Sequence, residues 1–229
     1  MRKQIRQLFL SCILVAGVCG ATHSVIAGTV AKSDILLHIV TQCVEPAKES
    51  YCNNCMMPRL DANCGSEASC KKTTEVWAQN DKYTVIRDIK MCGCPAEFVH
   101  GLAMPRNVVT GVEDANRPEA IWQFAWDSAI EKIDVESLAL VVNPRGQRSQ
   151  NQLHIHLLRL NAGARERFDQ YSGVYVQNLE HVWAEAAKSA KAKGLNDYGV
   201  LVARVPGNQY LVIAIADSPE ALLTKWSCN

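Results

Sequence analysis

Residues 138–160 read LALVVNPRGQRSQNQLHIHLLRL, two apolar runs separated by a polar loop. The run Leu138–Val142 predicts a short buried strand, and Leu153–Leu160 predicts a second one. Side chains alternate between the two faces of a strand, so His154 and His156 share one face while the apolar residues between them point into the core. The sequence therefore predicts two imidazoles side by side, facing whatever the loop encloses.

The loop supplies groups that bind oxyanions. Its hydrogen-bonding and cationic side chains are Asn143, Arg145, Gln147, Arg148, Ser149, Gln150 and Asn151. Guanidinium groups match the geometry of phosphate oxygens. A neutral imidazole can attack phosphorus, and a second, protonated imidazole can give the departing oxygen its proton. Loop and strand together predict phosphoryl or nucleotidyl transfer through a covalent phosphohistidine.

Two other interpretations of the histidine pair stay open. A His-x-His strand can chelate a metal ion, but it needs at least a third ligand. His38, His100 and His181 each stand alone in an apolar or helical setting, and no carboxylate lies between residues 143 and 160. We therefore expect no metal and no cofactor. The second interpretation is a pair of buried rings without a chemical role. It explains the histidines poorly, because the apolar residues of the strand already supply its buried face.

The loop and strand resemble a known family. Asn-x-Arg-x-x-Arg-Ser-Gln-Asn-x-x-His-x-His at residues 143–156 is similar to the motif of the CDP-diacylglycerol pyrophosphatases, within the histidine-triad superfamily. Further similarity lies in LLHIVTQC at 36–43, HGLAMPRNVVTGVED at 100–114 and YGVLVARV at 198–205. The chain departs from the wider superfamily in having Gln152 at the first triad position and Val108 at an upstream histidine position.

The resemblance implies a histidine-triad-like fold and hydrolysis of CDP-diacylglycerol to CMP and phosphatidate. It makes His154 the nucleophile that takes up CMP and gives His156 the task of handling the leaving phosphatidate. It also implies a set of substrate-binding residues, which are Asn143, Arg145, Arg148, Ser149, Gln150 and Gln152. One alternative is a related enzyme acting on soluble nucleotide conjugates. Another is a disulfide-stapled protein that binds nucleotide or metal without turnover.

The N-terminus predicts export. Residues 1–6 carry three positive charges and no acid, and an apolar run from Leu8 to Cys19 follows. This pattern is typical of a signal peptide cleaved after Ala27, with an uncleaved membrane anchor as the alternative. We expect the protein in the periplasm or anchored to a bacterial inner membrane, with residues 28–229 as one domain that meets its lipid-nucleotide substrate at the membrane surface.

Charge and cysteine content agree with that location. Without residues 1–27, 21 Lys and Arg face 23 Asp and Glu, a net charge of −2 that argues against a nucleic-acid partner. The eight remaining cysteines are Cys43, Cys52, Cys55, Cys64, Cys70, Cys92, Cys94 and Cys228. An even number in an exported chain predicts a disulfide framework of open pairing, concentrated in a Cys-rich insert at 44–75. Zinc on Cys52, Cys55, Cys92 and Cys94, or redox chemistry at Cys52 and Cys55, is less favoured.

The remaining pattern predicts an antiparallel α+β domain. Ser33 can cap a first helix, and Asn116 can cap a second whose buried stripe includes Ile130. The other expected elements are strands at 83–87, 97–104, 199–205 and 209–215 and helices at 164–171 and 178–193. The sequence does not predict the oligomeric state.

Overall fold

The computed structural model describes residues 32–44 and 74–228. The predicted leader (1–27) and residues 45–73, which form nearly all of the predicted Cys-rich insert, lie outside these ranges. Among the described residues, no helix combines the length and the apolar character needed to cross a bilayer.

Eight strands form one sheet in which every pairing is antiparallel, in the order β1-β2-β3-β5-β4-β7-β8-β6. The strands are β1 (Val76–Gln79), β2 (Tyr83–Arg87), β3 (His100–Pro105), β4 (Leu138–Val142), β5 (Ile155–Arg159), β6 (Val174–Val176), β7 (Gly199–Val205) and β8 (Gln209–Ile215). The helices are α1 (Ile35–His38), extended by a π-helical turn at Ile39–Cys43, then α2 (Ile121–Ile130), α3 (Val182–Ala192) and α4 (Pro219–Leu223). The predicted antiparallel α+β class is confirmed.

Strand β4 is apolar throughout because apolar clusters cover it on both faces of the sheet. On one face, Leu140 of β4 and Leu157 of β5 pack with Trp122 and Trp126 of α2 in the largest core cluster. On the other face, two smaller clusters lie apart. One joins the first helix to β2 and β3, through Ile39, Ile86 and Leu102 among others. The second joins β4, β7 and β8 to the segment around Phe168, through Val141, Leu201 and Ile213 among others.

Several predicted boundaries are wrong, and local hydrogen bonding explains them. Asp34, not Ser33, precedes the first helix, and no side-chain bond caps it. Helix α2 begins at Ile121 and not after Asn116, whose backbone N–H instead donates to Asp114. Ile130, expected in the buried stripe, is 41% exposed. The segment expected as a helix at 164–171 is a 3₁₀ helix, Arg165–Tyr171.

The strand predictions at 83–87, 138–142, 199–205 and 209–215 are confirmed to the residue. The other two are shortened, since β3 begins at His100 and β5 at Ile155. Helix α3 is also shorter than expected and ends before Gly194, which takes a positive φ of 69° as predicted for a stop. The sequence reading did not predict β1, β6 or α4.

The predicted disulfide framework is confirmed for the described cysteines. Cys94 bonds to Cys228 and so ties the segment after β2 to the C-terminus. Cys43 and Cys92 are also disulfide-bonded. Because Cys92 and Cys94 are both oxidised, the alternative of a zinc site on these two residues is excluded.

We expect Glu119 to stabilise α3 from a distance in sequence. Its carboxylate accepts hydrogen bonds from the backbone N–H groups of Trp183 and Ala184 in the first turn, at 2.9 and 3.0 Å. Removing an acceptor at this position leaves donors unpaired and costs about 1–2 kcal/mol. Glu119→Ala should therefore lower the free energy of unfolding by about that amount in urea denaturation, whereas Glu131→Ala, at an exposed position, should change it by less than about 0.5 kcal/mol. Equal effects of the two substitutions would contradict this role.

Candidate active site

The two histidines lie together where the second sheet face is not covered by either small cluster. His156 in β5 pairs with Leu102 of β3 on one side and with Val141 of β4 on the other. The rings of His154 and His156 have centroids 4.8 Å apart. Leu153, between the loop and the strand, is buried in the core with its apolar neighbours. The predicted sharing of one face is confirmed.

His154 is held in one tautomer by the backbone. Its Nδ1 lies 2.7 Å from the carbonyl oxygen of Gln152. A carbonyl can only accept, so Nδ1 carries the proton and donates it, which leaves the lone pair on Nε2. Burial lowers the pKa of His154 below its ordinary value, although the Gln152 carbonyl and the carboxylate of Glu220 raise it in part. A neutral ring with a free Nε2 is the form that a nucleophile requires.

A third imidazole joins the pair. His100 begins β3, opposite Leu158 and diagonal to His156, and its Nε2 lies 2.8 Å from His156 Nδ1. The expectation that His100 stands alone is therefore wrong. Burial lowers the pKa of His100 to about 3, and burial together with the neighbouring His154 and His100 lowers the pKa of His156 well below its ordinary value. Two neutral rings thus face each other, since one proton suffices for the hydrogen bond between them.

Two buried carboxylates surround these rings. Asp88, just after β2, has Oδ2 3.4 Å from His100 Nε2, and its backbone N–H donates to the His100 carbonyl. Glu220 in α4 has Oε1 3.8 Å from His100 Nε2 and 3.5 Å from His156 Nδ1. Desolvation raises the pKa of Asp88 above its ordinary value. Asp88, His100 and His156 present ligand atoms that all lie within 4.8 Å of one another, a grouping that can hold a metal ion.

Asn143, predicted to bind substrate, positions Glu220. Its side-chain amide donates to Glu220 Oε2, and its carbonyl oxygen accepts from the Ser218 hydroxyl at 2.7 Å. Ser218 also caps α4 by accepting from the N–H of Ala221. Asn143, directly after β4, therefore fixes the position of α4, the helix that brings the Glu220 carboxylate to the histidines.

The two predicted arginines differ in environment. Arg148 forms a two-pronged ion pair with Glu113, with Nη1 2.8 Å from Oε2, and its side chain is 10% exposed. Gly111 permits this approach, because a Cβ there would collide with the guanidinium. Arg145 is exposed, and its backbone N–H donates to Asp197. Only Arg148 of the two lines the clefts beside the histidines.

The predicted Ser and Gln residues take separate positions around the pair. Ser149 is exposed and lines a cavity on each side of the histidines, while Gln150 Oε1 accepts from the backbone N–H of Leu36. The side chain of Gln152 bonds to the backbone after β3, donating to the carbonyls of Pro105 and Asn107 and accepting from Val109. Gln152 therefore holds this segment against the histidine strand.

Two cavities of different character meet at the histidines. The first, of about 250 Å³, is mostly apolar and is lined by Ile35, Leu36, Ile39, Ile86, Leu102 and others. The second, of about 350 Å³, has mainly polar and charged residues in its lining, which includes Lys90, Asn143, Gln147, Arg148, Ser218, Glu220 and Trp226. His154 and His156 line both, so a bound molecule can reach the two rings from an apolar side and a polar side.

Sequence reasoning missed Asp88, His100, Lys90 and Glu220. None of them lies near residues 138–160 in the chain, and each reaches the site through strand pairing or through α4. One signal was present, since His100 directly precedes the apolar run of a predicted strand. That signal becomes informative only once β3 is known to pair with β5.

Comparison with known proteins identifies the family. A family model described as CDP-diacylglycerol pyrophosphatase matches residues 31–210, which is more than half of the chain. Among curated proteins, none matches the sequence.

We expect Gln152→Ala to destabilise the fold. The substitution leaves three backbone groups around residues 105–109 without their partner, and an unpaired buried group costs about 1–3 kcal/mol. Urea denaturation should show a loss of at least that order. Gln123→Ala, which removes a side-chain hydrogen bond on the exposed face of α2, should have little effect and serves as the control. A stability unchanged by Gln152→Ala would contradict the assigned contacts.

Proposed function

Since the chain belongs to the CDP-diacylglycerol pyrophosphatase family, whose members are hydrolases, we propose that it hydrolyses CDP-diacylglycerol to CMP and phosphatidate through a covalent cytidylyl intermediate on His154. The observation that carries the proposal is the position of the His154 and His156 rings between an apolar cavity and a polar cleft. A lipid nucleotide has the same division, with an acyl-bearing half and a charged nucleotide half joined at the pyrophosphate.

In the first step, His154 Nε2 attacks the phosphorus that bears cytidine. The N–P bond forms as the bond from this phosphorus to the bridging oxygen breaks, and phosphatidate leaves with that electron pair. The ring becomes cationic, and its Nδ1 proton remains bonded to the Gln152 carbonyl. The buried carboxylates of Asp88 and Glu220 stabilise the new positive charge, an interaction strengthened by the low local dielectric. In the second step, water attacks phosphorus, and the P–N bond breaks with its electron pair returning to His154 Nε2. One proton of the water stays on the phosphate of CMP, the other passes to solvent, and the neutral imidazole is restored.

His156 is placed to assist the leaving group. Its Nε2 is buried without a hydrogen-bond partner, and the residue lines both cavities. With His100 Nε2–H donating to His156 Nδ1, the proton of His156 resides on Nε2 and can donate a hydrogen bond to the bridging oxygen. This hydrogen bond stabilises the negative charge that develops on the departing phosphatidate, which lowers the barrier to departure.

The polar cleft fits the nucleotide and its phosphates. Lys90 and Arg148 bring positive charge to its lining, and Ser149 lies at the junction with the apolar cavity. The ion pair with Glu113 offsets part of the positive charge of Arg148. Arg148 therefore orients phosphate oxygens but neutralises their charge only in part. We assign the phosphate-binding role mainly to Lys90 and Arg148, with Arg145 acting from the exposed rim.

The apolar cavity favours the lipid substrate over soluble nucleotide conjugates. It lies between the first helix and the strands β2 and β3, and it opens beside the reacting histidines. Burial of apolar surface there stabilises the acyl-bearing half by about 25 cal/mol per Å². With the export signal predicted at residues 1–27, we place the reaction at the outer face of a bacterial inner membrane. We also propose that the strands of the sheet are arranged as in the histidine-triad fold.

His154→Ala should abolish release of CMP from CDP-diacylglycerol, because no other group occupies the position of its Nε2. The measurement is CMP release by the full chain in detergent micelles, with His181→Ala, at an exposed position, as the matched control. In a quenched reaction of the unaltered protein, mass spectrometry should find a cytidylyl group on the peptide 149–159, with fragmentation assigning it to His154. Turnover that survives His154→Ala would overturn the assignment of the nucleophile.

Ile35→Asn should separate the two substrate classes. The substitution places an amide in the lining of the apolar cavity, so the KM for CDP-diacylglycerol should rise several-fold while hydrolysis of a water-soluble CDP ester stays unchanged. Ile130→Asn, on the exposed side of α2, is the matched control. If the soluble ester is the better substrate of the unaltered protein and Ile35→Asn changes neither reaction, the protein acts on soluble nucleotide conjugates.

A further inference from the structure

Four ligand-type side chains converge behind the reacting face of His156. The closest pair is His100 Nε2 and His156 Nδ1, 2.8 Å apart. Asp88 Oδ2 lies 3.4 Å from His100 Nε2, and Glu220 Oε1 lies 3.5 Å from His156 Nδ1. All four residues are buried, none more than 7% exposed. They come from four separate parts of the chain, so the sheet and α4 hold the cluster in place.

The nitrogen and oxygen atoms of this cluster carry too few protons for each of their close contacts to be a hydrogen bond. An ionised carboxylate only accepts, and a neutral imidazole carries one N–H. The 2.8 Å contact uses one N–H of the two rings, and two carboxylate oxygens still point at the same nitrogens. Lys90 Nζ contacts Glu220 Oε1 at 3.2 Å, and its side chain is 44% exposed. It offsets the charge of Glu220, while Arg87, whose charge acts on Asp88, is itself paired with Glu75 at 3.2 Å.

The spacing suits ligands around a cation. Nitrogen and oxygen ligands bind zinc at about 2.0–2.2 Å, which places neighbouring ligands of a tetrahedral site about 3.3–3.6 Å apart. Four contacts of the cluster, from 2.8 to 3.8 Å, bracket that value, and the ligand atoms of Asp88, His100 and His156 all lie within 4.8 Å of one another. Imidazole and carboxylate together suit zinc and the other divalent first-row metals.

We propose that Asp88, His100 and His156 bind one divalent transition-metal ion, with Glu220 as the fourth ligand. The sequence predicts no third ligand for a metal held by His154 and His156. The proposed site instead combines His156 with ligands from elsewhere in the chain, and His154 is not a ligand. The metal on His156 Nδ1 leaves the proton of that ring on Nε2, facing the cavities, and fixes the orientation of the ring. The inference goes beyond the proposed reaction and does not depend on it.

The test is metal binding by the full-length protein, with zinc as the probe. After treatment with a chelator, calorimetric titration with zinc should show one tight site per chain and a rise in Tm. His100→Gln keeps a hydrogen-bonding group beside His156 but removes a ligand, and Asp88→Asn removes a charge with little change of shape. Each should weaken zinc binding by at least about tenfold, whereas His181→Gln, as the control, should leave it unchanged.

His154→Ala separates the metal site from the proposed reaction. This variant should bind zinc like the unaltered protein while failing to release CMP, since His154 is not a ligand. If the unaltered protein binds no zinc, or binds it with the same affinity after His100→Gln and Asp88→Asn, the metal site is overturned whatever the activity. If zinc binds as expected but CDP-diacylglycerol is not hydrolysed, the proposed function fails and the metal site stands.

Discussion

The pairing of β5 with β3 on one side and with β4 on the other is the constraint on which the site depends. It opposes His156 to Leu102 and Val141, so that the histidine lies between the two apolar clusters of one sheet face. The same register puts His100 diagonal to His156. A slip of one residue would turn the histidines into the core and Leu157 out of it, at the cost of several kcal/mol of buried apolar surface. Core packing therefore fixes the orientation of the histidine rings.

Burial then determines the chemistry of these rings. Desolvation lowers the pKa of His100, His154 and His156, and it keeps all three neutral near pH 7. A neutral imidazole is both the nucleophile for phosphorus and the form that binds metal ions. What assigns different roles is the partner of each Nδ1. His154 donates to a carbonyl and keeps Nε2 free, whereas His156 Nδ1 faces His100 Nε2 and the carboxylate of Glu220.

The surroundings of the two histidines carry less net positive charge than the sequence of the loop between β4 and β5 indicates. Asn143 donates a hydrogen bond to Glu220, and Arg148 forms an ion pair with Glu113. The Asp197 carboxylate accepts from the backbone N–H of Arg145. Acidic groups remote in sequence thus offset the positive charge of the loop. In the proposed reaction, this balance would let the cleft bind a phosphate and still release two anionic products.

The sequence by itself determined the strand at 138–142, the loop, the shared face of His154 and His156 and the hairpin at 199–215, because alternation and turn residues act over a few positions. It also indicated the family through the motif at 143–156. The tertiary structure alone decided that Glu119 caps α3, that Gln152 holds the segment after β3, and that Asp88, His100 and Glu220 meet at His156. These contacts depend on the order of strands in the sheet, and periodicity within a segment carries no information about which segments become neighbours.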